Sequence, residues 1–123
     1  HRVALATNPI FPAVATESRI RWAGLAPETF AWYTTYENIG YCKPNPDYSR
    51  EILRYLGCRA EDCLMVGNDV EEDMMAAQAA GLSVFLLTDC LLNRKEKDIS
   101  SYPQGDFDAL LAFVEEWGGE ASL

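Results

Sequence analysis

Short apolar runs alternate along this chain with stretches in which apolar residues recur every three or four positions, about four times over. Val3-Ala4-Leu5-Ala6 reads as a strand ending at Thr7. Asn8 suits an N-cap and Pro9 the first helical position, where a missing N–H costs nothing, so a helix is expected from there to Gly24. Phe11, Val14, Ala15, Ser18 and Trp22 follow at helical spacing and predict one apolar stripe that packs on a sheet. The aromatic and β-branched string from Phe30 to Glu37 predicts a second strand. After a loop, Asn45-Pro46 starts a second helix with Tyr48, Ile52, Tyr55 and Leu56 on one face, closed by Gly57.

Cys63-Leu64-Met65-Val66 predicts a buried third strand, which passes through Gly67 into an acidic cluster and then into Ala-rich helix as far as Gly81. Ser83 to Leu87 reads as a fourth strand, and Thr88 to Gly105 as a long polar loop whose charge run, Arg94-Lys95-Glu96-Lys97, is expected to be solvated. Asp106 is placed to cap a last helix bearing Phe107, Leu110, Leu111, Val114 and Trp117, ended by Gly118-Gly119. Strand followed by helix, repeated in this way, argues for an α/β fold with a parallel sheet and helices on its faces.

In open α/β sheets ligands bind beyond the carboxyl ends of the strands, and the chemistry-bearing residues fall there. Thr7 ends the first strand beside amide groups that can hold an anion. Lys43 precedes a helix N-terminus, with Pro44 and Pro46 restricting its backbone. It is expected to act by charge and position, so Lys43→Met should change stability by no more than about 0.5 kcal/mol. Asp69 and Asp73, four apart at the start of a helix, can reach one hard cation directly or through its waters, and oxygen ligands without nearby His or Cys favour magnesium over zinc. Taken alone, the same acids are equally explained as helix-start residues favoured by free N–H groups and the helix dipole.

Composition narrows the class further. The 123 residues, 49% hydrophobic and 24% charged, suit one ordinary domain, with no apolar run long enough to cross a bilayer. A net charge of −9 argues against a nucleic-acid surface and requires an anionic substrate to be met locally, by a metal or a lysine. Cys42, Cys58, Cys63 and Cys90 show no CxxC pair or zinc spacing and read as reduced thiols of a cytoplasmic protein. His1, rather than Met, runs straight into strand pattern with no leading turn, as an interior stretch of a longer chain would; it reads as a surface residue and not as a ligand.

Three motifs in chain order give the sequence a resemblance to the haloacid dehalogenase-like (HAD) hydrolase superfamily. Ala6-Thr7-Asn8 looks like its second motif, a Thr or Ser ending a hydrophobic strand. Lys43-Pro44-Asn45-Pro46-Asp47 looks like the third, and Val66-Gly67-Asn68-Asp69-Val70-Glu71-Glu72-Asp73 like the fourth. The resemblance covers residues 3 to about 90. It implies a Rossmann-like three-layer sandwich in which residues 1–123 form a partial core domain. The family's first motif, a strand ending in DxD that carries the nucleophilic aspartate, is absent, as is the cap domain. That strand lies centrally in the family sheet, so its neighbours would be left with unpaired edges. Asn68 stands where many relatives have aspartate, which leaves open whether Asn68 or Asp69 meets the metal.

The resemblance implies hydrolysis of a small phosphomonoester by way of an aspartyl-phosphate whose nucleophile lies upstream. Thr7, with amide groups near Asn8, would bind the phosphoryl oxygens; Lys43 would offset negative charge; Asp69 and Asp73 would hold Mg2+. Two other readings compete: a non-catalytic relative or fragment that serves as a binding module, and a phosphoacceptor receiver domain, whose chain order fits less well.

Overall fold

The computed structural model describes residues 1–117, so the Gly118-Gly119 helix end lies outside the described residues. Among the described residues five short strands and four α-helices follow one another: β1 (Ala4–Leu5), α1 (Ala13–Trp22), β2 (Trp32–Tyr33), α2 (Pro46–Leu56), β3 (Leu64–Gly67), α3 (Ala76–Ala79), β4 (Ser83–Leu87), β5 (Gln104–Gly105) and α4 (Phe107–Glu116). A π-wound segment, Val70–Met75, leads directly into α3. All strand pairs are parallel, as expected, but they form two ladders: β1 with β2, and β3 with β4 with β5. Among the described residues no strand pair joins β1 to β3. The strand expected to be buried, β3, is half-buried at all four positions, whereas β4 has Val84, Phe85 and Leu86 buried.

Two apolar cores hold these layers. Val70, Met74 and Ala77 pack on Val84 and Leu86, with Met65, Leu82, Ile99 and Tyr102 around them. Met74 and Leu86 are fully removed from solvent, each worth about 1.5–3 kcal/mol of transfer free energy. Ile39, Tyr48 and Ile52 form the second core, covered by Ala6, Trp32 and Leu56. Here α2 follows its sequence signals closely: the Asn45 side chain accepts from the Asp47 amide, Pro46 opens the helix, and Gly57 ends it at φ 66°. Tyr55, expected on the buried face, is 57% exposed and stacks on Trp32 at 5.0 Å.

Other expectations need correction. The helix expected from Asn8 starts at Ala13, because Asn8 uses its side-chain oxygen on the Lys43 amide and not on its own helix. The Ala13 amide is met instead by the Glu37 carboxylate at 3.0 Å. Thr16 and Ile20 are the inward residues of α1, so the expected stripe faces outward, with Phe11, Val14 and Trp22 exposed. The second strand is only Trp32–Tyr33, because Thr34 turns its hydroxyl to Thr7 and the Thr35 amide is taken by Asn38 Oδ1. Asp106 does cap α4, yet only Leu110 of its apolar residues is buried; Phe107 and Leu111 stay exposed. The loop from Thr88 contains β5, which extends the ladder beside β4. All four cysteines are free thiols, and burial pushes Cys63 up to about 11. Among the described residues no helix is long and apolar enough to cross a membrane.

Candidate active site

Thr7, two residues beyond β1, is fixed through its backbone. Its amide donates to Thr34 Oγ1 at 2.9 Å, and its carbonyl accepts from Thr34 Oγ1 and from the Tyr48 hydroxyl, both at 2.6 Å. Thr34 has one proton, and the 2.6 Å bond uses it on the Thr7 carbonyl. In the 3.1 Å contact between the two hydroxyls Thr7 is therefore the donor, and Thr34 already accepts from an amide. The Thr7 proton can turn toward another acceptor without leaving Thr34 unsatisfied. Burial pushes the Tyr48 hydroxyl well above its ordinary range, so it stays a donor.

Asn8 ties this strand end to the two other motifs. Its Oδ1 accepts from the Lys43 amide at 2.8 Å and its Nδ2 donates to Glu72 Oε2 at 3.4 Å. The Lys43–Pro44 bond is cis, and the Lys43 ammonium donates to Asp73 Oδ1 at 2.7 Å and to the Ala6 carbonyl at 3.2 Å. Two of its three donors are thus used, and one remains for an incoming anion. Side-chain exposures of 11% for Lys43 and 6% for Asp73 make this a buried ion pair. The expectation that Lys43 contributes little to stability is corrected by that burial.

Asp69 and Asp73 are both buried, at 5% and 4% exposure. Asp69 Oδ1 accepts from the amides of Glu71 and Glu72, the helix-capping role anticipated from its position. Asp73 Oδ2 accepts from the Asp69 amide at 3.1 Å, which ties the two acids together. Gly67 leaves the room for this: a Cβ there would stand 2.6 Å from Asp73 Cβ and closer still to its carboxylate. Burial pushes the Asp69 carboxyl up, but the Glu72 amide, the Arg94 guanidinium and the Glu71 amide together hold it below the usual carboxylate range. Asn68 turns away, donating to the Cys90 carbonyl at 2.7 Å.

Asn8, Lys43, Asp73 and Asp69 therefore form one connected polar network, and Thr7 adjoins it as the chain neighbour of Asn8, its own polar groups held by Thr34 and Tyr48. Three partners were not singled out by sequence as site residues. Thr34 reads as strand, Tyr48 as an apolar helix face, and Arg94, which donates to Asp69 Oδ2 at 2.7 Å, as part of a solvated run. Lys95 in that run also pairs, with Glu71 at 3.0 Å. Replacing Thr34 by Val should cost about 1–3 kcal/mol, because the half-buried Thr7 amide and carbonyl lose the fully buried hydroxyl that serves both, while Thr34→Ser should recover most of it. Chemical denaturation midpoints of the two variants check this.

The family model described as HAD-hydrolase-like matches residues 40–103, just over half of the chain and including Lys43, Asp69, Asp73 and Arg94. The chain belongs to the HAD-hydrolase-like family. A glyceraldehyde 3-phosphate phosphatase of Methanothermobacter thermautotrophicus is 39% identical to this HAD chain over 64 residues, 52% of the chain and 28% of that protein. The fold matches that of a 2-haloacid dehalogenase from Pseudomonas syringae (TM-score 0.70, 24% identity, 94% of this chain and 47% of that one). It also matches a predicted phosphoglycolate phosphatase from Haemophilus somnus (0.70, 20% identity, 93% and 50%). The HAD-hydrolase YfnB of Bacillus subtilis, solved bound to magnesium, aligns likewise (0.71, 23% identity, 93% and 48%). The chain thus spans about a quarter of the curated relative and about half of these solved HAD chains.

Proposed function

We propose that these residues are the phosphoryl- and magnesium-binding part of a phosphomonoester hydrolase that works through an aspartyl-phosphate. The nucleophilic aspartate would come from a strand outside these 123 residues, pairing with the open edges of β1 and β3. The observation that carries this reading is the connected network of Asn8, Lys43, Asp73 and Asp69, with Thr7 next to it in the chain beyond the end of β1. The relative's phosphatase activity supports a small phosphorylated substrate.

The donor set fits magnesium. Asp69 and Asp73 offer only hard oxygen ligands, and among the described residues no group of three or more His, Cys, Asp or Glu converges. Magnesium keeps several waters and needs only one or two carboxylates beside phosphate oxygens. When bound, it would supply charge that lets an anionic nucleophile approach an anionic phosphate. The Thr7 hydroxyl would donate to a phosphoryl oxygen, held in register by Thr34 and Tyr48. Lys43 would direct its third N–H to the same group, where preorganised donors lower the barrier.

In a protein carrying the nucleophile strand, aryl-phosphate hydrolysis should require magnesium. It should fall roughly 10–100-fold or more in Asp69→Asn and Asp73→Asn, and little in Asn68→Ala. The 123 residues alone should be inactive. Full activity in excess chelator would refute the metal assignment, and an Asn68→Ala variant worse than Asp69→Asn would move the ligand back one residue.

A non-catalytic binding module is the second reading. One observation favours it: both site carboxylates already have a cationic partner within this chain, Arg94 on Asp69 and Lys43 on Asp73.

A further inference from the structure

Arg94 reaches Asp69 by a built route. After β4 the chain returns to the acidic turn, where the Leu92 amide donates to the Asn68 carbonyl at 2.8 Å and the Val70 amide donates to the Leu92 carbonyl at 3.0 Å. The Asn68 side chain adds a third tether, to the Cys90 carbonyl. Anchored there, the next residues deliver Arg94 to Asp69 and Lys95 to Glu71. The Asp69 side chain is 7% exposed and the Arg94 side chain 59%. The carboxylate is thus fixed and enclosed, while its counter-ion stands on the solvent side, on a long side chain that can swing away at little cost.

Of the two Asp69 oxygens, Oδ1 is committed to two backbone amides, and among the described residues Oδ2 meets only the guanidinium. Oδ2 is therefore the oxygen open to a cation from outside, and Arg94 already stands on it. We propose that Arg94 is an internal counter-ion that competes with a divalent metal for Asp69 and is displaced when the metal binds. It keeps the buried carboxylate neutralised before metal arrives and lowers metal affinity in return. This rests on the magnesium assignment above.

The competition predicts a thermodynamic cycle. Metal that expels Arg94 forfeits the stability which Arg94 gave the chain, so removing Arg94 should tighten metal binding by the same factor. For an ion pair with one exposed partner that factor is roughly two- to fivefold. The test is calorimetric titration of Mg2+ into the protein carrying the nucleophile strand and its Arg94→Gln and Lys95→Gln variants, with melting temperatures read without metal and at saturation. Lys95→Gln removes the same charge one residue away and controls for the general field. Arg94→Gln should bind Mg2+ tighter than both wild type and Lys95→Gln. Its melting temperature should lie below wild type without metal and converge with it at saturation. Equal affinities for wild type and Arg94→Gln, or a melting gap that persists at saturation, would overturn the counter-ion proposal and leave the magnesium site standing. Mg2+ binding by none of the three would overturn both.

Discussion

Replacing Lys43 by Met should lower the melting temperature by more than about 10 °C, an effect of roughly 3–5 kcal/mol. The ammonium lies 2.7 Å from Asp73 Oδ1 with both side chains largely out of solvent, so its loss strands a buried carboxylate. The double variant Lys43→Met with Asp73→Asn removes that stranded charge and should recover most of the loss. Thermal melts of the two variants beside wild type decide the matter. A Lys43→Met chain as stable as wild type would mean that Asp73 finds water or another cation, and that the ion pair has no structural part.

Gly67→Ala should also destabilise the chain, less than Lys43→Met and by a steric route. The added methyl would overlap the Asp73 side chain, whose carboxylate is pinned on one oxygen by Lys43 and on the other by the Asp69 amide. Overpacking of this kind costs about 1–3 kcal/mol. Displacing Asp73 should also weaken Mg2+ binding roughly 10–100-fold. Calorimetry with Mg2+ on Gly67→Ala checks it: unchanged affinity with an unchanged melting temperature would show that Asp73 can give way, and that Gly67 is not there to admit it.

What could be read from sequence was local. Asn45, Pro46 and Gly57 bracket α2 as written, because a cap acts on amides two or three residues away. Asp69 behaves as an N-cap for the same reason. The positions of Thr7, Lys43, Asp69 and Asp73 at strand ends followed from the alternation of strands and helices, and the structure joins Lys43, Asp73 and Asp69 directly, with Asn8 linking the Thr7 strand end to Lys43. Where local logic failed, a distant partner had claimed the side chain. Asn8 looks like a cap, but its oxygen serves Lys43, 35 residues on. Thr34 looks like strand, but its hydroxyl holds Thr7. Arg94 is exposed, as expected of its run, but nothing near it in sequence shows that the loop returns through Leu92 and pairs it with Asp69, 25 residues back. The outward face of α1 has a related cause: Phe11, Val14 and Trp22 have the periodicity of a buried stripe, but only Thr16 and Ile20 point to the interior. A periodic pattern states that a face is apolar, not what lies against it.

The proposed shared role of Thr7, Lys43, Asp69 and Asp73 at a phosphoryl group is tested most directly by an attempt to trap an aspartyl-phosphate. The protein carrying the nucleophile strand would be mixed with a radiolabelled phosphomonoester and quenched in acid, and the label on protein counted before and after hydroxylamine, which cleaves acyl phosphates. Label that depends on Mg2+, is released by hydroxylamine and is strongly reduced in Asp73→Asn is the result expected. Substrate turnover without protein-bound label, or label undiminished in excess chelator and in Asp73→Asn, would contradict it.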